Sequence, residues 1–305
     1  MAQSTGSSSP SKDATSGQHA TESKLILVDD ESLQSLQARP SLPTYFRQLW
    51  VRRHFIWTQA RSSALGTGRG MFLGQLWILL NPVLQVALFA FVFGVILNVS
   101  RGIDNFIGFL ILGVIFFGFV SGGLSAGSGL IQSSRNLINS FQFPKASLAI
   151  SSTVKQAIDN VAPAVLAVVA CVLFQLDQPL HWTIVFVIPV YLLIHIFCLG
   201  AALIGARVTA FVPDTKALIR VLTRVLFFLS GIFYSVERFA TQPVIQEIML
   251  ANPIYQFLRA VRNSVMLGTV PTWQEWLYLS TWSFGLLIFG LIFFWRAEAR
   301  YSSVK

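Results

Sequence analysis

The sequence predicts an all-α membrane protein with six transmembrane helices per chain. Hydrophobic residues make up 54% of the 305 residues and charged residues only 11%, against about 25% charged in a typical soluble domain. The apolar residues are gathered in runs of about 20, the length that a helix needs to cross a bilayer. Membrane proteins carry excess Lys and Arg in cytoplasmic loops. The net charge of +9 therefore does not indicate a nucleic-acid partner.

The first two predicted regions lie ahead of the spans. Residues 1–42 are rich in Ser, Thr and Gly, a composition that buries too little apolar surface to fold, so we expect a disordered cytoplasmic tail. In the next region, 43–70, apolar and aromatic residues recur at helical spacing over 43–61, with arginines on another face. This pattern predicts an N-terminal amphipathic interface helix. A simple membrane anchor explains the same pattern.

The transmembrane domain is predicted over 71–296, and a short cytoplasmic C-terminal tail over 297–305. The six predicted spans lie near 75–98, 106–133, 157–176, 183–206, 215–236 and 274–295. The fifth has an uninterrupted apolar core of only 225–236. Extending it backwards brings Arg220 and Arg224 into its first turns, where long side chains reach the membrane interface.

The distribution of Lys and Arg predicts the orientation. If the N-terminus is cytoplasmic, the connections on that side hold most of the basic residues of the domain. The outer connections then keep only Arg101, Arg238, Arg259 and Arg262. Because basic residues mark cytoplasmic loops, we expect both termini to be cytoplasmic in a multi-pass protein of the inner (plasma) membrane.

The longest outer connection, 237–273, joins the fifth and sixth spans. Pro243 and Pro253 divide it into pieces that are too short to cross a bilayer. The second piece gathers apolar residues on one face. Its opposite face carries polar residues, Arg259, Arg262 and Asn263. This predicts short re-entrant helices that enter the outer leaflet and return. Backbone at that depth must be shielded by protein or line a wet cavity.

Loop 134–146, between the second and third spans, combines basic and aromatic residues. The residues that a partner would contact are Arg135, Phe141, Phe143, Pro144 and Lys145. A basic connection between two spans faces the cytoplasm. We interpret the loop as a turn that presents a hydrophobic knob to a soluble partner and receives the force that works the other spans. A connector lying on the bilayer surface is the alternative.

Motifs that carry catalysis are missing from the sequence. It contains no GxxxxGK[ST] phosphate loop, no HExxH and no cluster of acidic residues typical of a metal site. Asp159 is an acidic residue inside a clearly predicted span. It lies four residues from Lys155, a spacing that predicts an ion pair. The chain is therefore expected to have no catalytic residues, metal or energy source of its own.

Three motifs carry a resemblance to a known family. They are Gly74, Trp77, Asn81 and Pro82 at the start of the first span, Phe143-Pro144-Lys145 after the second, and Asn252-Pro253 with Arg262 after the fifth. In this order they resemble the motifs of ABC-2 type permeases that export lipid-linked polysaccharides, such as O-antigens, teichoic acids and mycobacterial-type galactan. The match covers about residues 45–300. One departure is Pro213-Asp214, where the family often has Arg-Asp.

The resemblance implies a half-transporter. Two copies of this chain would form the membrane channel as a homodimer, and two copies of a separate nucleotide-binding ATPase subunit would bind Mg and ATP, so that no cofactor belongs to this chain. The family's segments for coupling to the ATPase map onto loop 134–146 and onto 209–216. The second segment adds Asp214 to the candidate coupling residues.

The cargo that the resemblance implies is a polyprenyl-diphosphate-linked glycan, galactan or O-antigen-like, moved from the cytoplasm to the outer side of the inner membrane. Arginine suits phosphate geometry, so Arg47, Arg52 and Arg53 are candidate contacts for the diphosphate. Within the same class, the alternative is an ABC-2 exporter of a drug or lipid. A membrane enzyme of lipid-linked sugar metabolism would need catalytic acids, and an ion-coupled carrier would need more charge inside the membrane.

Overall fold

The computed structural model of the protein describes residues 40–66, 74, 76–96, 105–176, 179–236 and 241–303. Over these residues every regular element is helical. Most of the predicted N-terminal tail, residues 1–39, lies outside the described part of the chain.

The helices are α1 (Leu42–Val51), α2 (Arg53–Gly66), α3 (Leu76–Ala90), α4 (Phe106–Ala126), α5 (Leu130–Ser133), α6 (Arg135–Ser140), α7 (Ala146–Asp159), α8 (Val161–Leu173), α9 (Val187–Phe211), α10 (Thr215–Leu229), α11 (Pro243–Leu250), α12 (Pro253–Arg262) and α13 (Trp273–Trp295). Short π-helical turns follow α3 and α12, at Phe91–Ile96 and Asn263–Leu267. Segments of 3-10 helix precede α9 and follow α13, at Trp182–Phe186 and Glu298–Ser303.

Within the described residues, 5 helical stretches are long and apolar enough to cross a membrane. They are Leu76–Phe93, Phe106–Ala126, Ala146–Leu173, Trp182–Phe211 and Trp273–Trp295. These stretches coincide with the predicted first, second, third, fourth and sixth spans, which confirms a multi-pass, all-helical membrane protein. The third begins earlier than predicted, because α7 extends the span back to the end of loop 134–146.

The helix predicted over 215–236 is shorter than expected. Helix α10 has 15 residues and is about 22 Å long at 1.5 Å per residue, against a hydrocarbon core of about 30 Å. The chain turns immediately after it, at Gly231, whose φ of 62° lies in the left-handed region that commonly ends helices. The prediction of one continuous helix to residue 236 was therefore wrong.

The core of the bundle is built around α4 and α9. Helix α4 packs on α7, α8, α9 and α12, and α9 packs along α13. Two glycines allow these close approaches. A Cβ on Gly127 would lie 2.0 Å from the carbonyl oxygen of Ala202, and one on Gly290 would lie 2.5 Å from the carbonyl oxygen of Gly200. In contrast, no residue of α3 is buried.

Candidate functional site

Loop 134–146 exposes one of its two phenylalanines. Phe141 is 64% exposed and follows α6 in extended conformation. Phe143 is partly buried against an apolar cluster that includes Tyr45 and Phe294, and Pro144 is buried. The predicted knob of Phe141, Phe143 and Pro144 is therefore corrected to Phe141 alone, because the other two side chains pack into the protein.

The end of loop 134–146 is held by a buried acid from the C-terminal segment. The Lys145 N–H donates to Glu298 Oε1 at 2.7 Å, and Lys145 Nζ donates to the Glu298 backbone oxygen at 2.9 Å. Tyr45, in α1, donates its hydroxyl to Glu298 Oε2 at 2.8 Å and accepts the N–H of Ala146 at 3.2 Å. Lys145 is thus engaged inside the protein, although the sequence presented it as a charge available to a partner.

The environment of Glu298 is apolar as well as hydrogen-bonded. Only 5% of the residue is exposed. Burial raises the pKa of its carboxyl group, whereas the Lys145 N–H, the Lys145 ammonium and the Tyr45 hydroxyl lower it. Burial likewise raises the pKa of the Tyr45 hydroxyl, and the neighbouring Glu298 carboxylate raises it further. Such a buried acid is stable only while its donors stay in place.

The second predicted coupling segment, 209–216, lies against the chain that leads into the loop. The Gly129 N–H donates to Thr209 Oγ1 at 3.0 Å, and Gln132 Nε2 donates to the Thr209 carbonyl oxygen at 2.6 Å. Asp214 is exposed at the start of α10, and its side chain makes no helix-capping bond. The structure therefore fixes segment 209–216 to the chain just before loop 134–146. Asp214 and Arg135 are both exposed.

The predicted interface helix is divided at Arg52 into α1 and α2. These helices bury Tyr45, Leu49, Ile56, Ala60 and Ala64, and α2 packs on α7. The two tryptophans point outward, Trp50 being 70% and Trp57 53% exposed.

The arginines of this region fall into two groups. Arg52 donates to the Gln142 carbonyl oxygen at 2.9 Å, and so helps to hold loop 134–146. Arg53 donates to the Trp50 carbonyl oxygen at 3.1 Å and lies 5.1 Å from the centre of the Trp50 ring. Arg47 and Arg61 are exposed and have no hydrogen-bond or ion-pair partner among the described residues. Arg61 borders a groove of about 260 Å³ with Trp57, Thr58, Ser62 and Leu65.

At the other end of the bundle, Arg262 is 5% exposed. Its Nη1 donates to the Gly231 carbonyl oxygen at 2.8 Å, and Nη2 donates to the oxygens of Ile232 and Phe109 at 3.2 and 3.1 Å. Its Nε also donates to Phe109, at 3.3 Å. The expectation that Arg262 lies on a polar face was therefore wrong, because its guanidinium binds carbonyl oxygens at the turn after α10.

Asn252 holds the same turn from the other end of α12. Its Oδ1 accepts the Ile254 N–H at 2.9 Å and so caps the helix, in which Pro253 occupies the first turn. Its Nδ2 donates to Ser230 Oγ at 3.2 Å and to the Leu229 carbonyl oxygen at 3.4 Å. Asn252 and Arg262 together fix the α11–α12 hairpin to the end of α10.

The motif at the start of the first span lies on and just before a helix that is not buried in the bundle. Gly74 has a φ of 48°, a conformation that favours glycine. Trp77 and Asn81 are exposed, and Pro82 lies inside α3. Trp77, Asn81 and Pro82 take no part in the hydrogen bonds described above for loop 134–146 and for the α11–α12 hairpin.

The predicted intramembrane ion pair is confirmed, since Lys155 Nζ lies 2.5 Å from Asp159 Oδ2. His195 contacts Asn160 Nδ2 at 3.2 Å and the Tyr191 carbonyl oxygen at 2.8 Å. The polar groups at this depth therefore bind one another, as expected of residues inside a bilayer.

The sequence of this chain is similar to those of known membrane transporters. Residues 55–266 match the ABC-2 type transporter family, a range that covers more than half of the chain and contains loop 134–146 and the α11–α12 hairpin. This chain belongs to the ABC-2 type transporter family. It is similar to two proteins named O-antigen export system permease protein RfbA. The one from Myxococcus xanthus is 24% identical over 213 residues, covering 70% of this chain and 80% of the relative. The one from Klebsiella pneumoniae is 21% identical over 240 residues, covering 77% and 89%.

Family membership confirms the resemblance found in the motifs. ABC-2 proteins are membrane subunits of transporters rather than enzymes, and membership implies an ATPase partner. Tyr45 and Glu298, which hold the end of loop 134–146, both lie outside the range that matches the family. Sequence reasoning missed both residues. The available signal was slight: Glu298 is an isolated acid in a short basic C-terminal segment.

Proposed function

We propose that this ABC-2 protein is the membrane subunit of an ATP-driven exporter. Its cargo is a polyprenyl-diphosphate-linked polysaccharide, moved from the cytoplasm to the outer side of the inner membrane. The observation that carries the proposal is loop 134–146, which offers an exposed Phe141 while its end is fastened into the bundle. Such a loop transmits force from a soluble subunit to a membrane helix. The names of the two relatives support a polysaccharide as cargo.

The energy for export comes from a separate subunit in this proposal. The sequence has no phosphate-binding loop, so two ATPase subunits, each holding Mg and ATP, dock at the cytoplasmic loops of two copies of this chain. Phe141 enters a cleft in the ATPase subunit. Arg135 and Asp214, both exposed, lie at the rim, where charges mainly affect the association rate.

The unburied helix α3 supports a homodimer. Asn81 and Gln85 are exposed on this predicted span, four residues apart and so on one face of the helix. Neither side chain has a hydrogen-bond partner among the residues that the structure describes. Polar groups facing hydrocarbon are costly, so we place this face against a second copy or the water-filled conduit.

The proposed contact for the diphosphate lies on the exposed faces of α1 and α2. Residues 32–103 contain no Asp or Glu, so α1 and α2 carry basic residues and no acidic residue of their own. Arg52 and Arg53 are occupied by local contacts, which leaves Arg47 and Arg61 for a phosphate. The groove beside Arg61 adds the Thr58 and Ser62 hydroxyls as hydrogen-bond donors, and Trp57 and Leu65 as an apolar wall for a prenyl chain.

Cysteine labelling tests the proposed topology of six crossings, cytoplasmic termini and a re-entrant hairpin. Cysteines replacing Thr241 and Val270, at the two ends of the α11–α12 hairpin and both exposed, should react with an impermeant thiol reagent applied to intact cells. A cysteine replacing Ser140 should react only after the membrane is opened. Labelling of Ser140→Cys in intact cells would overturn the orientation, and opposite behaviour of 241 and 270 would mean that the hairpin crosses the membrane.

Depletion of the protein tests the proposed function. Cells that lose this chain should keep their lipid-linked glycan in the cytoplasmic leaflet and lose the corresponding surface polysaccharide, and the intact gene should restore both. The measurement is the accessibility of the glycan to a sugar-binding protein added outside, before and after permeabilisation. Unchanged surface glycan in depleted cells would favour an exporter of another lipid or of a drug.

A further inference from the structure

Three segments that are distant in sequence meet at Glu298. Its carboxylate accepts hydrogen bonds from the Lys145 N–H and from the Tyr45 hydroxyl, and the same hydroxyl accepts from the Ala146 N–H. We call these four residues the Glu298 clamp. It connects α1, the end of loop 134–146 and the C-terminal segment.

The clamp occupies the N-terminus of the helix that begins the third span. The first N–H groups of a helix have no partner within it, and α7 has no capping side chain from its own N-cap residue, Lys145. Tyr45 and Glu298 supply the missing acceptors from other segments. A carboxylate at this position is also favoured by the helix dipole. The start of α7 is therefore fixed by residues outside the loop itself.

The C-terminal segment that carries Glu298 is itself anchored. The Tyr301 hydroxyl donates to the Phe294 carbonyl oxygen at 2.9 Å. The Tyr301 ring stacks on Phe294 at 4.5 Å and on Phe211, in α9, at 5.9 Å between ring centres. The Trp295 indole donates to the Pro40 carbonyl oxygen at 3.0 Å. These contacts join the segment that carries Glu298 to α9, α13 and the segment before α1.

We propose that Glu298 is a positioning residue for energy coupling. Through the clamp it makes the end of loop 134–146, the start of α7 and the C-terminal segment move as one body when the ATPase subunit displaces Phe141. The inference rests on the proposed role of loop 134–146 as the site where the ATPase subunit acts. Because Glu298 is buried, its loss should leave binding of the ATPase subunit intact, while the displacement of the loop no longer moves the membrane helices.

The test uses the complete complex of this chain and its ATPase subunit in vesicles. It compares the number of ATP molecules hydrolysed per glycan exported. Glu298→Ala should raise this ratio by at least about tenfold while the ATPase subunit still co-purifies, because the Lys145 N–H and the Tyr45 hydroxyl lose their acceptor. Glu298→Gln keeps the size of the side chain and one of the two acceptor oxygens, so it should restore part of the coupling. Co-purification of the ATPase subunit with Glu298→Ala separates this loss of coupling from a defect in folding.

Tyr45→Phe is the second variant, because it keeps the buried ring and removes only the hydroxyl. It should also raise the ratio, and combining it with Glu298→Ala should add less than the sum of the two effects, since both act through the same contacts. Glu275→Ala is the matched control. Glu275 caps the start of α13 and does not contact loop 134–146, so the ratio should stay unchanged.

Two outcomes separate the clamp from the proposed function. An unchanged ratio in folded Tyr45→Phe and Glu298→Ala, with Phe141→Ala still defective in binding, would overturn the clamp alone. If Phe141→Ala also binds the ATPase subunit normally and hydrolyses the usual number of ATP molecules per glycan, the proposed role of the loop is wrong. If Glu298→Ala does not fold, an unchanged ratio in Tyr45→Phe overturns the clamp.

Discussion

Replacing Phe141 by alanine is expected to weaken binding of the ATPase subunit by about tenfold to about 150-fold. The side chain is 64% exposed in the isolated chain, and covering a phenylalanine at an interface contributes about 1.5–3 kcal/mol, at about 1.4 kcal/mol per tenfold change. Folding should be unaffected, because Phe141 is held by a backbone bond to Leu137. The measurement is titration of the detergent-purified chain with the ATPase subunit, followed by an export assay.

Phe143→Ala is the control for this result. Phe143 packs into the apolar cluster under the loop, so its loss should lower the stability of the protein before it lowers the affinity for the ATPase subunit. If the double variant Phe141→Ala with Phe143→Ala keeps its partner and exports normally, loop 134–146 is only a connector between two spans.

Arg262→Met should destabilise the protein by more than about 3 kcal/mol. The guanidinium donates to three carbonyl groups, those of Phe109, Gly231 and Ile232, and hydrogen bonds to charged groups contribute about 1.5–3 kcal/mol each. Arg262→Lys should recover little of this loss, because a compact ammonium does not reproduce the planar fork of arginine. Thermal unfolding of the purified protein in detergent measures the effect as a lower Tm.

Arg259→Met is the matched control for Arg262→Met. It removes a cation from the same helix, at a partly exposed position without a hydrogen-bond partner in the described part of the chain. Its effect should stay within about 0.5 kcal/mol. Equal Tm values for the two variants would contradict the anchoring of the hairpin by Arg262.

The spans were predictable because run length and composition decide whether a helix crosses a bilayer. The predictions over 106–133 and 274–295 overlap the helices Phe106–Ala126 and Trp273–Trp295. The end of α10 was not predictable in the same way. The turn at Gly231 is held by Asn252 and Arg262, and contacts between residues this far apart leave no periodic pattern.

The candidate site was predictable in place but not in detail. Basic and aromatic residues located loop 134–146, and its position between two spans followed from the apolar runs. Which phenylalanine faces outward depends on the cluster formed with Tyr45 and Phe294. Helical periodicity assigned Arg262 to a polar face. In the structure its guanidinium is buried and donates hydrogen bonds to carbonyl oxygens of Phe109 and of the turn after α10.

Transport in reconstituted vesicles tests the central claim most directly. Vesicles that contain this chain, the ATPase subunit and a lipid-linked glycan should move the glycan across the bilayer only when ATP is supplied on the side of loop 134–146. Vesicles with this chain alone should neither move the glycan nor hydrolyse ATP, since the sequence contains no phosphate-binding loop. ATP hydrolysis by the lone, contaminant-free chain, or glycan movement that needs no ATPase subunit, would contradict the claim.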